Sequence, residues 1–403
     1  MSVPTIAISA QAAKRLRNYD CWVFRDELLR AGGSPPAPQD SGPLGELVEV
    51  VDRHGAFVAY AFYHPRSHIA LRVVSTRKDE PWDRALLRRR LSRAIEKRRT
   101  VRGTNAMRLV FSEADELPGL IVDQYATWLV LQIRSAGMER WRQTVVESLQ
   151  DLLRPEGILE RSDKEFREEE GLKPVNQVLI GTVPQRIQIE EDGLRFWVDP
   201  HRGLKTGFYL DQRTTRRRLR QLIQPDHRVL DTFSYTGSLG IVAARQGARV
   251  VCVEQQEPFV ELAKENAALN GVSDRITWVA GNAFYWLTAR AQAGETFDWV
   301  FLDPPALAKT KSDVIKGRQA LHHLITQALG LLASEGRLML SMCTCHLLGL
   351  IEEIVRIAAS ERGIRVQVCE HWLQAEDHPW ILQVPPTRYL TSWLLARDER
   401  SAV

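Results

Sequence analysis

The chain has 403 residues, 44% hydrophobic, 26% charged and 8% aromatic, with a net charge of +4. That length implies about two or three domains with sizeable cores, which excludes a single small module. The five cysteines are odd in number and scattered, arguing against a disulfide framework. No opening or later run is apolar and long enough for a signal peptide or a membrane span, so a cytoplasmic protein with no membrane partner is expected.

In chain order, the first ~75 residues read as a small β-rich module, because short β-branched runs alternate with turn signals. Those runs are LGELVEVVD (44–52), GAFVAYAFYHP (55–65) and HIALRVVS (68–75), and a Gly/Pro/Ser-rich loop precedes them. RALLRRRLSRAIEKRRTVR (84–102) carries nine Lys/Arg against one acid, with leucines at helical spacing. It predicts an amphipathic helix with a cationic outer face. MRLVFSEADELPGLIVDQYATWLVLQI predicts further strands around a Pro-Gly turn, with helix and loop up to about Leu172. QRIQIEEDGLRFWVD places Asp-Gly between two alternating runs, a hairpin signal. A second basic cluster, Arg213 to Arg220, opens another helix. One cluster reads as a solvated helix face; two together make phosphate binding a reasonable expectation.

From about Pro225 strands and helices alternate. The strand candidates are 227–231, 248–254, 275–280, 297–303, 336–342, 364–369 and 389–396. Helices between the first six predict right-handed crossovers and a mostly parallel, doubly wound Rossmann-like α/β sheet. The seventh follows a Pro-rich loop and is expected as an antiparallel edge strand.

Asp231-Thr-Phe-Ser-Tyr-Thr-Gly-Ser-Leu-Gly240 leads from the first of these strands into a helix. Small residues at such a turn let backbone amides approach a ligand. The spacing is not G-x-G-x-x-G, and Glu254 ends the next strand, where an acid can accept ribose hydroxyls. A tight turn and a capping acid would look the same in isolation. Asn282 follows the third strand, and Asp303-Pro304-Pro305 ends the fourth. LSMCTCHLL ends the fifth, placing Cys343, Cys345 and His346 together. Cys-x-Cys-His alone is a weak metal signal, since a site needs further ligands, and no metal is expected. Cys252 and Cys369 read as buried filler.

With its Asp-Pro-Pro, this half resembles class I S-adenosylmethionine-dependent methyltransferases. The resemblance is narrower still. GLKTGFYLDQRTTRR, DTFSYTGSLG, DPPALAKTK, CTCHL and QAEDHPWILQVPPTRYLTSWLLA are similar to the RlmI-like ribosomal RNA large-subunit cytosine-C5 methyltransferase family. GELVEVVDRHGAFVAYAFYHPRSHIALRVVS resembles that family's N-terminal PUA module. The resemblance spans essentially the whole chain. It implies a PUA-like RNA-binding domain over 1–78, a central α+β domain over 79–190 and a methyltransferase domain over 191–403.

Carried over residue by residue, it implies Lys205, Tyr209, Asp211 and Gln212 beside S-adenosylmethionine. Asp231, Phe233, Thr236 and Gly237 would line the methionine end, Glu254 the ribose and Asn282 the adenine. Many relatives carry an acid in place of Asn282, whose carbonyl oxygen can still accept from an adenine amino group. Asp303 would border the cofactor and, with Pro304 and Pro305, hold the base, while Cys343 attacks cytosine C6. A thiolate suits that step because it is reachable near neutral pH and intrinsically nucleophilic. A one-residue gap in the match would give the role to Cys345; Lys309 could polarise the base, and His346 could orient or deprotonate the thiol. The implied partner is ribosomal RNA, with an unpaired or flipped-out target; a homodimer is suggested by similarity alone. Two rival readings stay open: methylation at an exocyclic nitrogen or guanine, and an inactive RNA-binding assembly factor.

Overall fold

The computed structural model describes residues 3–29, 44–163, 167–308, 310–344 and 347–398. The predicted loop at 31–43, Lys309, Cys345 and His346 lie outside the described residues. The chain divides into two compact units. One comprises residues 1–189, Val198–Phe208 and Asp377–Thr387; the other comprises Glu190–Trp197, Tyr209–Glu376 and the C-terminal stretch from Arg388.

The first unit holds two sheets. Its N-terminal sheet has six strands in chain order Thr5–Ile8, Trp22–Phe24, Leu28–Leu29, Glu46–Val51, Phe57–Tyr63 and Ile69–Ser75. In space they run second, sixth, fifth, fourth, first, third. The last three match the predicted runs. The first three are too short for alternation to reveal them.

The second sheet is a five-stranded series, Ala106–Phe111, Leu120–Tyr125, Trp128–Ile133, Gly157–Ser162 and Val175–Gly181, neighbours in sequence being neighbours in space. The helix Arg142–Leu153 supplies the crossover that makes the third and fourth of these strands parallel. Gly157–Ser162 corrects the expectation of helix and loop up to Leu172. All six of its residues are buried, so no hydrophobic alternation marks it.

The predicted basic helix forms over Arg84–Arg98 and buries Leu86, Leu87, Leu91 and Ala94 in the same core as Val110, Val122, Leu131 and Ile158. Its charge is not laid out as predicted. Arg90 and Arg98 point inward, 6% and 2% exposed. The outer arginines meet acids distant in sequence: Arg84 with Glu147 at 2.9 Å, Arg88 with Asp151 at 2.7 Å, Arg89 with Glu80 at 2.9 Å and Arg93 with Glu116 at 2.6 Å. The cationic outer face is thus largely matched within its own unit.

The hairpin Ile187–Glu191/Leu194–Val198 forms where Asp-Gly predicts it. Asp192 and Gly193 have φ of 48° and 79°, the paired left-handed residues of a two-residue turn. In the second unit, Glu191 and Asp192 receive the other basic cluster, on the helix Arg213–Leu222. Arg213 and Arg216 are buried against Glu191, and Arg217 reaches Asp192 at 2.7 Å. Arg218 pairs with Glu370. This cluster is a clamp inside the fold, which corrects the expectation of a second phosphate-binding patch.

The second unit is built on a seven-stranded sheet. Its strands are Arg228–Thr232, Arg249–Glu254, Ile276–Ala280, Phe297–Leu302, Leu332–Met342, Arg365–Leu373 and Thr391–Asp398. In space they run third, second, first, fourth, fifth, seventh, sixth. The first five pair in parallel, and the seventh is antiparallel to both neighbours. It is therefore not the edge strand expected from the Pro-rich loop: it inserts between the fifth and the sixth. The sixth becomes the edge, which leaves Cys369 exposed rather than buried filler. Cys252, on the inner second strand, is fully buried as expected. Order reverses between first and fourth, so the loops after the first, second, fourth and fifth strands converge at one end, where ligands bind such sheets.

Candidate functional site

The turn Asp231–Gly240 is shaped by backbone conformations that side chains resist. Phe233, Tyr235 and Gly237 have φ of 58°, 50° and 78°, alternating with residues that lack a positive φ. Left-handed non-glycine residues cost of order 1–3 kcal/mol each and persist where the surrounding fold dictates them. The fold uses the amides of this turn itself: Ser234 donates to the Val253 carbonyl at 3.1 Å, Tyr235 to Glu254 at 3.0 Å and Gly237 to the Ser234 carbonyl at 2.8 Å. A Cβ on Gly237 would stand 2.7 Å from the Trp278 ring, and one on Gly240 only 2.5 Å from Cys252 Sγ. Neither position admits a larger residue.

Asp231 is 1% exposed. Its Oδ2 accepts from the Gly240 amide at 2.9 Å, while Oδ1 is buried without a hydrogen-bond partner. Burial, with the charges of Asp303 and Glu254 nearby, pushes this carboxyl up to about 8. Thr236 Oγ1 is likewise buried without a partner. A half-satisfied carboxyl group and an unsatisfied hydroxyl in one turn cost stability unless a ligand supplies partners. S-adenosylmethionine carries an ammonium, a sulfonium and two ribose hydroxyls, so these residues fit it.

Glu254, at the end of the second strand, accepts from the amides of Tyr235 at 3.0 Å and Gln256 at 2.9 Å, tying the turn to its neighbouring strand. The Asn282 carbonyl oxygen, assigned to adenine by resemblance, caps the helix Ala283–Gln292 by accepting from Phe284 N at 2.9 Å, and one lone pair is left for a ligand. Phe233 packs edge-on against Phe284, centroids 5.8 Å apart.

Asp303 and Cys343 follow adjacent parallel strands in register, Leu302 opposite Leu340. Thr344 Oγ1 donates to the Ala308 carbonyl at 2.6 Å, linking the two loops that carry them. Asp303 and Cys343 are both half-buried, Pro304 is buried and Pro305 exposed. Tyr209 lies within electrostatic reach of Asp303 and Cys343; its phenol is pushed well up, first by burial and then by those neighbours. Its ring meets Tyr235 edge-on at 5.3 Å.

Gln212, 3% exposed, donates through Nε2 to Asp303 Oδ2 at 2.8 Å. Asp211 is 1% exposed and accepts from the Tyr389 hydroxyl at 2.5 Å. The second unit thus holds Tyr209, Asp211, Gln212, Asp231, Phe233, Thr236, Gly237, Glu254, Asn282, Asp303 and Cys343, whereas Lys205 belongs to Val198–Phe208 of the first. Among the described residues, no group of three or more His, Cys, Asp or Glu could hold a metal.

Sequence reading missed Tyr235, Thr344 and Tyr389 as parts of this end of the sheet. Thr344 lies beside a singled-out cysteine and Tyr235 within the turn; only Tyr389 had no local signal.

Comparison with known proteins fits this geometry. A PUA-like domain model matches residues 6–76, and the model described as conserved hypothetical protein 95 matches residues 215–337. The fold is similar to a candidate methyltransferase solved with S-adenosylhomocysteine (TM-score 0.84, 19% identity, covering 98% of this chain and 100% of that one). It is similar also to a candidate SAM-dependent methyltransferase from Streptococcus mutans (TM-score 0.82, 18% identity, 98% and 100% covered). In sequence, the chain is 35% identical to the ribosomal RNA large subunit methyltransferase I of Tolumonas auensis, over 96% of this chain and 97% of that one. The Enterobacter sp. and Escherichia coli proteins of the same name are 34% and 33% identical, each over 97% of this chain and 98% of theirs. Whole-length identity at this level shows that the chain belongs to the ribosomal RNA large subunit methyltransferase I family.

Proposed function

We propose that this protein is a cytoplasmic, S-adenosylmethionine-dependent methyltransferase that forms 5-methylcytosine in large-subunit ribosomal RNA. One observation carries the reading: a half-buried thiol, Cys343, and a carboxylate, Asp303, end adjacent strands on loops joined by Thr344, in the sheet whose first strand ends in the half-satisfied Asp231. An exocyclic-nitrogen or guanine methyltransferase has no use for that thiol.

S-adenosylmethionine, when bound, supplies an electrophilic methyl carbon. Asp231, Phe233, Thr236 and Gly237 would line its methionine end, Glu254 its ribose and Asn282 its adenine. The rest belongs to the chain. Asp303 orients the base through its N3/N4 edge. The Cys343 thiolate adds to C6, which makes C5 electron-rich enough to take the methyl group. A base then removes the C5 proton and the C6–S bond breaks, returning the thiolate. Pro304 and Pro305 follow Asp303, so the fourth-strand motif itself offers no thiol to accept that proton. The residues up to about 78, with the PUA-like match, would hold RNA by phosphates and shape.

The test is large-subunit ribosomal RNA transcribed with 5-fluorocytidine, whose C5 fluorine blocks the final elimination. Wild-type protein should form a covalent adduct that resists denaturation. Cys343→Ser should form none and should lose on the order of 10⁴-fold or more in turnover. Absence of the wild-type adduct, or full activity in Cys343→Ser, overturns the C5 reading.

A further inference from the structure

Tyr19 stands where the backbone resists a side chain and the fold makes little use of the one it has. The helix Ala10–Arg17 is capped by Asn18, and Tyr19 follows with φ of 69°. The Tyr19 amide donates to the Leu16 carbonyl at 3.1 Å, and the Asp20 amide to the Arg15 carbonyl at 3.1 Å. In such a helix end the left-handed residue is most often glycine, which takes that conformation without the steric penalty a tyrosine meets. The neighbouring side chain is put to use: Asp20 Oδ1 accepts from the Cys21 and Trp22 amides at 2.7 and 3.2 Å. The Tyr19 ring is 73% exposed and, among the described residues, makes no hydrogen bond and no ring contact.

The charges around it are also divided into used and unused. Arg15 pairs with Asp20 at 2.7 Å and with Glu27. Arg17 reaches Asp52 at 2.7 Å, which brings the turn at 52–55 beside the helix end. That turn carries Arg53 and His54, both exposed, with Arg53 Nε donating to His54 Nε2 at 3.0 Å. Lys14, exposed on the last helical turn, pairs with no acid among the described residues, and neither does Arg53. This is the reverse of the helix Arg84–Arg98, whose outer arginines meet acids. Here an exposed ring shares a helix end with one cation that the fold leaves unmatched, and a second stands on the turn bridged to it.

We infer that Tyr19, Lys14 and Arg53 form a contact for single-stranded RNA, in which an unpaired base stacks on the Tyr19 ring and neighbouring phosphates meet the two cations. The inference rests on the reading of the residues up to about 78 as an RNA-holding module, and adds where and by what contact the module grips. Every base offers a π-face, so an exposed aromatic ring takes an unpaired one whatever its identity, while cations beside it neutralise the backbone. A duplex keeps its base faces stacked inside and has no use for the ring.

The experiment measures retention of a large-subunit ribosomal RNA transcript by the full-length protein over a range of salt concentrations, with thermal melts of each variant. Tyr19→Gly should weaken binding about tenfold, the loss expected for one stacked base, while the melting temperature holds or rises because the left-handed position is relieved. Tyr19→Ala should lose as much affinity, and Tyr19→Trp, which keeps a ring, should bind as the wild type does. Lys14→Ala should lower the slope of log affinity against log salt by about 0.7, one phosphate of a single strand, whereas Tyr19→Ala should leave the slope unchanged. Wild-type affinity in both Tyr19→Gly and Tyr19→Ala overturns this contact and leaves the RNA-holding module intact. An equal loss in Tyr19→Trp and Tyr19→Ala also overturns it, since stacking would not be the cause. So does a loss in Tyr19→Gly that comes with a lowered melting temperature, which would make the ring a support of the fold. Failure of the wild type to retain the transcript overturns both readings.

Discussion

Arg98 and Asp231 are both buried ionisable groups, and they are handled in opposite ways. Arg98 is 2% exposed, and its guanidinium is used in full: Nη1 and Nη2 donate to the Asp115 carboxylate at 2.7 Å each, Nε donates to the Arg108 carbonyl, and Nη2 also reaches the Asp377 carbonyl. Asp231, equally buried, has one amide on one oxygen and no hydrogen bond on the other. A buried charge with every bond supplied by the fold belongs to the architecture. One left half-supplied, at a turn with three left-handed residues, suits the cofactor role proposed for it. Charge density along the sequence misleads for the same reason, since the most basic segments are those the fold neutralises.

The contrast can be broken first at Arg98. Arg98→Ala leaves buried Asp115 with only the Phe111 amide at 2.7 Å and the Lys97 ammonium at 3.6 Å, and should cost about 3 kcal/mol. Denaturant unfolding followed by a probe in the first unit measures this; a loss under about 1 kcal/mol would show that the pair is dispensable.

At Asp231 the expected effect is on ligand binding and on pH. Removing a charged partner, Asp231→Asn should weaken S-adenosylmethionine by about 2–3 kcal/mol, on the order of 100-fold by calorimetry. The carboxyl titrates at about 8 in the folded protein against an ordinary 3.8, so the fold holds this proton more tightly than the unfolded chain does. Stability of the ligand-free protein should therefore fall as pH rises between those values, and the substitution should flatten that slope in thermal melts. A cationic ligand favours the ionised form, so binding near pH 7 should release up to one proton. Calorimetry in buffers of different ionisation enthalpy counts it, and proton uptake would refute the assignment.

The smallest effect belongs to the outer face of the basic helix. Arg88 pairs with Asp151 at 2.7 Å with both side chains about half exposed, 44% and 56%. Such pairs contribute about 0–1 kcal/mol, so Arg88→Ala should barely move the unfolding midpoint. Because Asp151 already offsets this charge, the slope of log RNA affinity against log salt should change by less than about one, the value expected for a full phosphate contact. A full unit would mean that RNA displaces Asp151.

Much of the candidate site was legible because its requirements are local. The turn needs residues that tolerate positive φ and leave room for backbone approach, which marked Gly237 and Gly240 within one decapeptide. Alternation and a two-residue turn marked the Asp192-Gly193 hairpin in the same way. Buried strands such as Gly157–Ser162 carry no alternation, and the strand insertion that exposes Cys369 depends on which edges are open after the rest of the sheet has formed.

By itself, then, the sequence determined the order of strands and helices in the second unit, the tight turn at Asp231–Gly240, and the placing of Asp303 and Cys343 after consecutive strands, because each follows from backbone propensity within a short window. Tertiary structure alone decided which charges are satisfied and which side chains stand behind the site. Glu191 meets Arg213 and Arg216, Asp115 meets Arg98, and Trp372 reaches Thr215 across 157 residues of chain. A buried charge or hydroxyl takes its partner from whatever the fold brings within about 3 Å, and chain separation carries no information about that distance.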